Sequence, residues 1–401
     1  MIGALVLLIF LFLVTQAIFN GFERKHGFFS KKLMNTLFFY HLFFAIVYYT
    51  YALFNPSDSK KYFERPQYDG WAWTDYFGTS TTFIDFLSYP FINFLGFNYE
   101  MMMLLYAYMG FLGFVYAYLF FRENIPIKIE VFKVDLLVLL MFLPNMHFWT
   151  ASLGKGAPIF LGLMMYAYAL KDAKSRWFTL TLGSALIYFI RPHVFLFVAV
   201  GTILGYLTGR EQISLSRKLM ITSVMIIGLV LAKDTILQMA GLDGSGDIIQ
   251  EFENFSETRS SELSKSTSGV DMASYPLPLK LFTFWFRPLF FDAPGFLGII
   301  VSFENLIYLL LFFKILKKDF ISFIRKSPIS VKMSLTVFFL SSLALTFVMA
   351  NLGIIMRQKS MVMYFLFFVI FYYLAQQKYD RIMKLRRLKK AKEEALKAEA
   401  C

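Results

Sequence analysis

Apolar stretches long enough to cross a lipid bilayer recur along almost the whole chain, from residue 2 to residue 376. A transmembrane helix needs about 20 apolar residues to cross roughly 30 Å of hydrocarbon. A chain of 401 residues that is 58% hydrophobic and 19% aromatic has more apolar surface than a water-soluble core requires. The sequence therefore predicts an all-α, polytopic transmembrane helix bundle of about eleven spans, without a sizeable soluble domain.

The boundaries of these stretches follow from the hydropathy of the sequence. The predicted spans cover residues 2–19, 33–54, 99–121, 134–151, 156–170, 177–190, 193–209, 219–237, 295–313, 333–350 and 360–377. Two of them, 156–170 and 177–190, are shorter than a usual span, which a small tilt or a thin bilayer accommodates. Residues 2–19 lack the flanks of a secretory signal, so we interpret them as a retained first span. Residues 1–377 form one predicted membrane domain, and residues 378–401 form a basic tail.

The distribution of lysine and arginine predicts the orientation of the chain. With the N-terminus outside, the inner loops and the C-terminal tail carry most of the 40 Lys and Arg residues. Cytoplasmic loops of membrane proteins carry such an excess, so we predict an outside N-terminus and a cytoplasmic C-terminus. The same bias explains the net charge of +13 without a nucleic-acid partner. Cys401 is the single cysteine, so no intrachain disulfide can form.

Two long loops, 55–98 and 238–294, lie on the predicted outer side. The first contains YFERPQYDGWAWTDYFG and FIDFLSYPFINFLGF, aromatic stretches interrupted by Pro and Gly, so we expect short interfacial helices there. The second begins with a polar, Ser-rich half that includes GLDGSGD and that we expect to be mobile. Its other half, YPLPLKLFTFWFRPLFFDAPG, is amphipathic, and we expect it to return to the membrane surface.

Charged and polar residues gather at the outer ends of several predicted spans. An ionised group in a membrane costs several kcal/mol unless it is paired or faces water, so such residues are functional candidates. The candidates are Asp58, Tyr62, Trp149, Lys155, Arg191, His193, Trp285, Arg287, Arg357 and Lys359.

Arg191, Pro192 and His193 are the sharpest of these candidates, since they occupy a connection between two spans with almost no loop. Pro192 favours the start of a helix and pushes the preceding residue out of helical geometry. The guanidinium of Arg191 suits phosphate oxygens, and His193 can donate a proton near neutral pH. Contact of Arg191 with lipid headgroups is the alternative interpretation.

Three other cations have the same two interpretations. Arg287 lies among apolar residues, with Trp285 and a proline beside it. Arg357 and Lys359 lie at the predicted N-terminus of the last span, where two cations oppose the helix dipole and an anion would relieve the repulsion. Each of the three could instead contact lipid headgroups.

Asp58 is the first acidic residue that follows the second predicted span. It could act as general base toward a sugar hydroxyl. It could equally cap the short helix that follows, because Ser57 and Asp58 are both good capping residues. Lys155 is the only cation of the turn that follows HFWTASLG.

Five segments in this order resemble the bacterial exopolysaccharide and O-antigen polymerase family, polytopic membrane glycosyltransferases close to the GT-C superfamily. They are SDSKKYF (57–63), HFWTASLGKG (147–156), IRPHV (190–194), FWFRPLFFD (284–292) with FEN (303–305), and NLGIIMRQKS (351–360). The resemblance covers most of the chain. It implies a helix bundle with an outward cavity, in the inner membrane of a bacterium.

The resemblance also implies an activity and roles for the candidates. A glycan carried on polyprenyl diphosphate would be transferred to the sugar end of another, with Arg191, Arg287 and Arg357 holding the diphosphate. Asp58 matches the position of a catalytic Asp in the first outer loop of GT-C relatives. The catalytic candidates are Asp58, Arg191 and His193. The remaining candidates would bind substrate: Tyr62, Trp149, Lys155, Trp285 and Lys359.

The resemblance implies partners, and two alternative functions remain open. The partners are the lipid-linked glycan, membrane lipids and other proteins of polysaccharide assembly, and neither a cofactor nor a metal is required. One alternative is a GT-C transferase that moves a single sugar from a polyprenyl phosphate. Another is a carrier or flippase of lipid-linked glycans, which should have charged residues at mid-membrane depth, where Glu304 is the one candidate.

Overall fold

The computed structural model describes residues 2–131, 133–211, 213–239, 254, 258, 272, 274–349 and 351–399. Helices make up nearly all regular structure in these ranges. Their single pair of strands, β1 (Glu130–Val131) and β2 (Val134–Asp135), is antiparallel. The segment GLDGSGD and the Ser-rich sequence after it lie outside the described residues.

Sixteen helices are numbered in chain order. The first eight are α1 (Ile2–Lys25), α2 (Lys31–Phe54), α3 (Asp58–Tyr68), α4 (Thr81–Tyr89), α5 (Tyr99–Asn124), α6 (Leu136–Met141), α7 (Pro144–Thr150) and α8 (Gly156–Ala169). The others are α9 (Trp177–Ile190), α10 (Pro192–Thr208), α11 (Leu215–Met239), α12 (Leu277–Phe286), α13 (Gly295–Phe313), α14 (Lys318–Arg325), α15 (Ile329–Val348) and α16 (Leu352–Glu399). Short 3₁₀ helices at Trp73–Tyr76 and Leu170–Asp172 and a π-helical turn at Pro90–Phe94 complete the described structure.

Among the described residues, six helices are long and apolar enough to cross a membrane: α1, α2, α5, α13, α15 and the part of α16 from Met361 onward. The chain is therefore membrane-embedded, and the predicted all-α bundle is confirmed. The predicted number of eleven spans is not confirmed. The helices α8, α9 and α10 have 14, 14 and 17 residues, fewer than the roughly 20 that an upright span needs.

The predicted span at 134–151 is not one continuous helix, because it contains the two short helices α6 and α7. The chain leaves helical geometry just before Pro144, whose ring cannot continue a helix. Side chains of neighbouring helices pair with the freed carbonyls. His147 Nε2 donates to Met141 O at 2.7 Å, and Tyr40 Oη donates to Phe142 O at 2.8 Å. Irregular backbone is tolerated inside a membrane bundle when it is satisfied in this way.

The N-terminus of α7 is held by an acid of α13. The backbone N of Asn145 donates to Glu304 Oε2 at 2.9 Å, and Tyr308 Oη donates to the other carboxylate oxygen. A carboxylate is favourable at the positive end of a helix. The buried Glu304 thus fixes the start of a helix.

Glycines let the central helices approach closely. A Cβ on Gly110 of α5 would lie 2.1 Å from Thr150 O of α7. A Cβ on Gly162 of α8 would lie 3.1 Å from Gly183 O of α9. Small residues commonly allow such contacts between membrane helices, where close van der Waals packing replaces the hydrophobic effect.

The two loops and the tail are largely helical where they are described. Residues 55–98 contain the predicted short helices, namely α3, α4 and the two short turns between and after them. The aromatic half of 238–294 contains α12. The tail from residue 378 continues the last apolar helix without a break, so α16 extends from Leu352 to Glu399.

Candidate functional site

Four cations from distant parts of the sequence approach one another at one end of the bundle. Arg65 lies on α3, Lys155 between α7 and α8, Arg191 between α9 and α10, and Arg357 on α16. We call these four residues the cation cluster. Burial lowers the pKa of Lys155, and the charges of Arg191, Arg357 and Arg65 lower it further, whereas the charge of Asp58 raises it.

Arg191 occupies the connection predicted from Pro192. Helix α9 ends at Ile190, α10 begins at Pro192, and Arg191 has φ −148° and ψ 80°, outside helical geometry. This local prediction is confirmed. The short connection holds the side chain inside the protein, with 8% of it exposed. One guanidinium nitrogen donates to Gln358 Oε1 on α16.

The charge of another cation, Arg357, acts on the guanidinium of Arg191. Burial and the charge of Arg357 lower the pKa of Arg191 to about 10. Within the described ranges, no carboxylate forms an ion pair with Arg191, and its buried Nε makes no hydrogen bond. A buried cation costs several kcal/mol unless an opposite charge compensates it. An anion bound at this position would supply that charge.

Lys155 extends the cluster toward the short helices of residues 55–98. Its Nζ donates to Ser80 Oγ at 2.6 Å, and the backbone N of Ser80 donates to Phe189 O at 2.6 Å. Ser80 has φ 65°, a conformation that non-glycine residues adopt at a cost of about 1–3 kcal/mol. Burial, Arg191 and Arg357 lower the pKa of Lys155 to about 8.

Arg357 connects the cluster to Asp58 and Trp149. Its Nη1 lies 3.4 Å from Asp58 Oδ2, and its guanidinium carbon lies 5.9 Å from the centre of the Trp149 ring. The Asp58 side chain is 64% exposed and begins α3, whereas the side chain that caps this helix is that of Ser57. Asp58 is therefore accessible to a substrate beside the cluster.

Tyr62 and His193 also lie next to the cation cluster. The ring of Tyr62 is buried beneath the guanidinium of Arg65, 4.9 Å from its centre. The charge of Arg357 also acts on the Tyr62 hydroxyl. His193 lies in the first turn of α10, where the charges of Arg191 and Lys155 act on its ring. The structure thus brings together seven of the ten sequence candidates: Asp58, Tyr62, Trp149, Lys155, Arg191, His193 and Arg357.

The remaining three candidates form a separate group beside α12. Lys359 is fully buried, and its Nζ donates to Arg287 O and Asn305 Oδ1, both at 2.6 Å, and to Trp285 O at 3.5 Å. Arg287 forms an ion pair with Asp292 in its own loop. These contacts fasten the α12–α13 connection to α16.

The predicted position of Arg357 and Lys359 at the N-terminus of the last helix is wrong. Helix α16 begins at Leu352, so both residues lie within its second turn. Residues two positions apart do not share a face of a helix. The side chain of Arg357 therefore lies in the cation cluster, whereas that of Lys359 contacts the α12–α13 connection.

An apolar groove adjoins the cation cluster. It has a volume of about 480 Å³ and lies between α2, α7, α13 and α16. Its wall includes Phe43, Val47, Trp149, Phe296, Ile300 and Met356. Trp149 belongs to both features, since it lines the groove and lies next to Arg357.

Sequence reasoning missed Arg65, Ser80, Asp85 and Gln358. Arg65 pairs with the buried Asp85 at 3.0 Å, and burial raises the pKa of Asp85 to about 6. The spacing of Tyr62 and Arg65 gave one usable signal, because residues three apart share a helix face. The pairing of α3 with α4 had no comparable signal in the sequence.

Comparisons with known proteins identify no family. No family model matches the chain, and neither a curated protein nor a solved structure is significantly similar to it.

Proposed function

We propose that this protein is a glycosyltransferase of the polysaccharide-polymerase type. It joins glycan units carried on polyprenyl diphosphate, and it does so at the outer face of a bacterial inner membrane. The observation that carries the proposal is the buried guanidinium of Arg191, which forms no ion pair with a carboxylate of the described residues and has Arg357 and Lys155 as charged neighbours.

The charge arrangement suits a diphosphate. Clustered cations repel one another, and a ligand with several negative charges removes that repulsion and compensates the burial of Arg191. Guanidinium groups bind phosphate oxygens through paired hydrogen bonds. Arg191, Arg357 and Lys155 would therefore bind the head group, and Tyr62 and Trp149 would line the space around it.

The proposed reaction exchanges one bond for another at the anomeric carbon of the donor glycan. A hydroxyl oxygen of the acceptor sugar forms a bond to that carbon, and the bond from the carbon to the diphosphate oxygen breaks. The bonding electrons leave with polyprenyl diphosphate, whose growing negative charge the fixed cations stabilise. The hydroxyl proton passes to a base, and the exposed Asp58 is the candidate for that role.

We assign fewer arginines to the diphosphate than the family resemblance implies. Arg191 and Arg357 remain candidates for the diphosphate, with Lys155 as a third cation. Arg287 and Lys359 are engaged with Asp292 and with the backbone of the α12–α13 connection. We therefore assign these two residues to the architecture of the bundle and leave them out of the proposed site.

The proposal is tested with purified protein in proteoliposomes and a polyprenyl-diphosphate-linked repeat unit as donor and acceptor. A polymerase lengthens the glycan in steps of one repeat unit. A single-sugar transferase instead adds one sugar from a polyprenyl phosphate donor, and a flippase moves the lipid across the bilayer without lengthening the glycan. Either of those results would refute polymerase activity.

The proposed orientation, with the C-terminus in the cytoplasm, can be tested by labelling the single native cysteine. A membrane-impermeant maleimide should label Cys401 in inside-out vesicles and leave it unlabelled in intact spheroplasts. A Lys61→Cys variant that also carries Cys401→Ser should give the reverse pattern. Labelling of Lys61→Cys from the cytoplasmic side alone would place the cation cluster on the wrong side for an extracytoplasmic polymerase.

A further inference from the structure

We propose that the apolar groove between α2, α7, α13 and α16 holds the hydrocarbon chain of the lipid whose anionic head lies in the cation cluster. The lipid enters sideways from the bilayer, between α2 and α13. The identity of the head group as a diphosphate rests on the proposed function, whereas the place of the chain rests on the groove itself.

The groove opens toward the hydrocarbon of the membrane. Phe43 on α2 and Phe296 on α13 border it, and they are 56% and 75% exposed. Both helices are long and apolar enough to span the bilayer. A chain that enters between them meets a wall that is mostly apolar.

The end of the groove meets the cation cluster. Asn145 Nδ2 donates to Met356 O at 2.9 Å and joins α7 to α16 in the wall of the groove. Trp149 Nε1 donates to Asn145 Oδ1 at 3.1 Å, which fixes the indole between the groove and Arg357. A ligand with an apolar chain and a negative head therefore fits the combined site from one end to the other.

The dimensions favour a single chain over a protein partner. A helix with its side chains is about 10–12 Å across, and a volume of about 480 Å³ is typical of a small-molecule site. A hydrocarbon chain that arrives from the bilayer leaves no water behind, so its binding in the groove depends on close van der Waals contact with the wall. A long-chain lipid can fill the groove along its length, whereas a short-chain or water-soluble diphosphate cannot.

The test measures binding to full-length protein in phosphatidylcholine nanodiscs with three probes: a long-chain prenyl diphosphate, a short-chain prenyl diphosphate and inorganic diphosphate. Val47→Trp and Ile300→Trp fill the groove. We expect them to weaken binding of the long-chain probe about tenfold or more, because the added rings occupy the space of the chain, and to leave the binding of inorganic diphosphate unchanged. Ile299→Trp, on the same helix but outside the groove, is the matched control and should bind every probe like the wild type.

A photoreactive group on the prenyl chain gives a second measurement that needs no variant. It should crosslink to α2 and α13 at the groove, and excess unlabelled long-chain lipid should prevent the crosslink. Equal long-chain affinity in Val47→Trp, Ile300→Trp and wild type, or crosslinks confined to other helices, would overturn the proposal. If the chain binds in the groove and no glycan is lengthened, the groove assignment stands and the polymerase proposal fails.

Discussion

Arg191 donates a hydrogen bond to Gln358, and this contact brings the connection between α9 and α10 to the side of Arg357. Two guanidinium groups that are 166 residues apart in sequence thereby share one end of the bundle. Burial and the charge of Arg357 together lower the pKa of Arg191. A protein keeps such an arrangement at a cost to its stability, so a bound anion is the simplest reason for it.

Lys155 makes the affinity for an anionic lipid dependent on pH. Its pKa is lowered to about 8, so it is protonated below pH 8 and loses its charge as the pH rises through that value. We expect binding of long-chain prenyl diphosphate to weaken between pH 7 and pH 9. Lys155→Arg keeps the charge and should remove most of this dependence in a binding titration. An unchanged pH profile in Lys155→Arg would show that another group titrates.

Asp58 is tested as a base by exchange of its carboxylate for an amide. We expect Asp58→Asn to lower kcat by about 10²–10⁴ with little change in KM for the donor. The ion pair of Asp58 with Arg357 is largely exposed and contributes at most about 1 kcal/mol, so thermal stability should change little. Wild-type kcat in Asp58→Asn would exclude it as the base. Lys61→Ala, an exposed change on the same short helix, is the control.

Lys359 should matter for stability rather than for substrate affinity. Lys359→Met leaves the carbonyls of Trp285 and Arg287 and the side-chain oxygen of Asn305 without their buried donor. The loss of a partner costs about 1–3 kcal/mol for a buried polar group. We expect a clear fall in the melting temperature in detergent. An unchanged melting temperature together with weakened diphosphate binding would instead show that Lys359 contributes to ligand binding.

Gly110 should be sensitive to a single added methyl group. A Cβ at this position would lie 2.1 Å from Thr150 O, a backbone atom that cannot move without shifting α7. We expect Gly110→Ala to lower both the melting temperature and donor affinity, because α7 carries Trp149. Gly21 has open space around its Cβ position, so Gly21→Ala is the matched control. Equal behaviour of the two variants would contradict the close contact between α5 and α7.

Part of this structure follows from the sequence alone. The helical class follows from composition, because a bilayer admits few other folds for so apolar a chain. The geometry of Arg191 follows from Pro192, since proline acts on the residue that precedes it. The first prediction depends on the bilayer as solvent and the second on the backbone next to a proline. Both effects can be recognised in a single segment of the sequence.

Other features depend on contacts that no single segment reveals. The apolar run at 134–151 looks continuous, and its division into α6 and α7 is stabilised by His147, Tyr40 and Glu304, which approach from elsewhere in the bundle or across the break. The last predicted span begins at residue 360, whereas packing extends α16 back to Leu352. Tertiary contacts override local preference in both cases.

The most direct test of the account is glycan elongation by reconstituted Arg191→Ala and Arg357→Ala variants. Both variants should insert into the membrane normally and bind long-chain prenyl diphosphate weakly, and both should fail to lengthen the glycan. Arg325→Ala, a change of an exposed arginine on α14, should elongate like the wild type. Elongation at the wild-type rate by Arg191→Ala and Arg357→Ala would contradict the claim that the cation cluster holds the diphosphate.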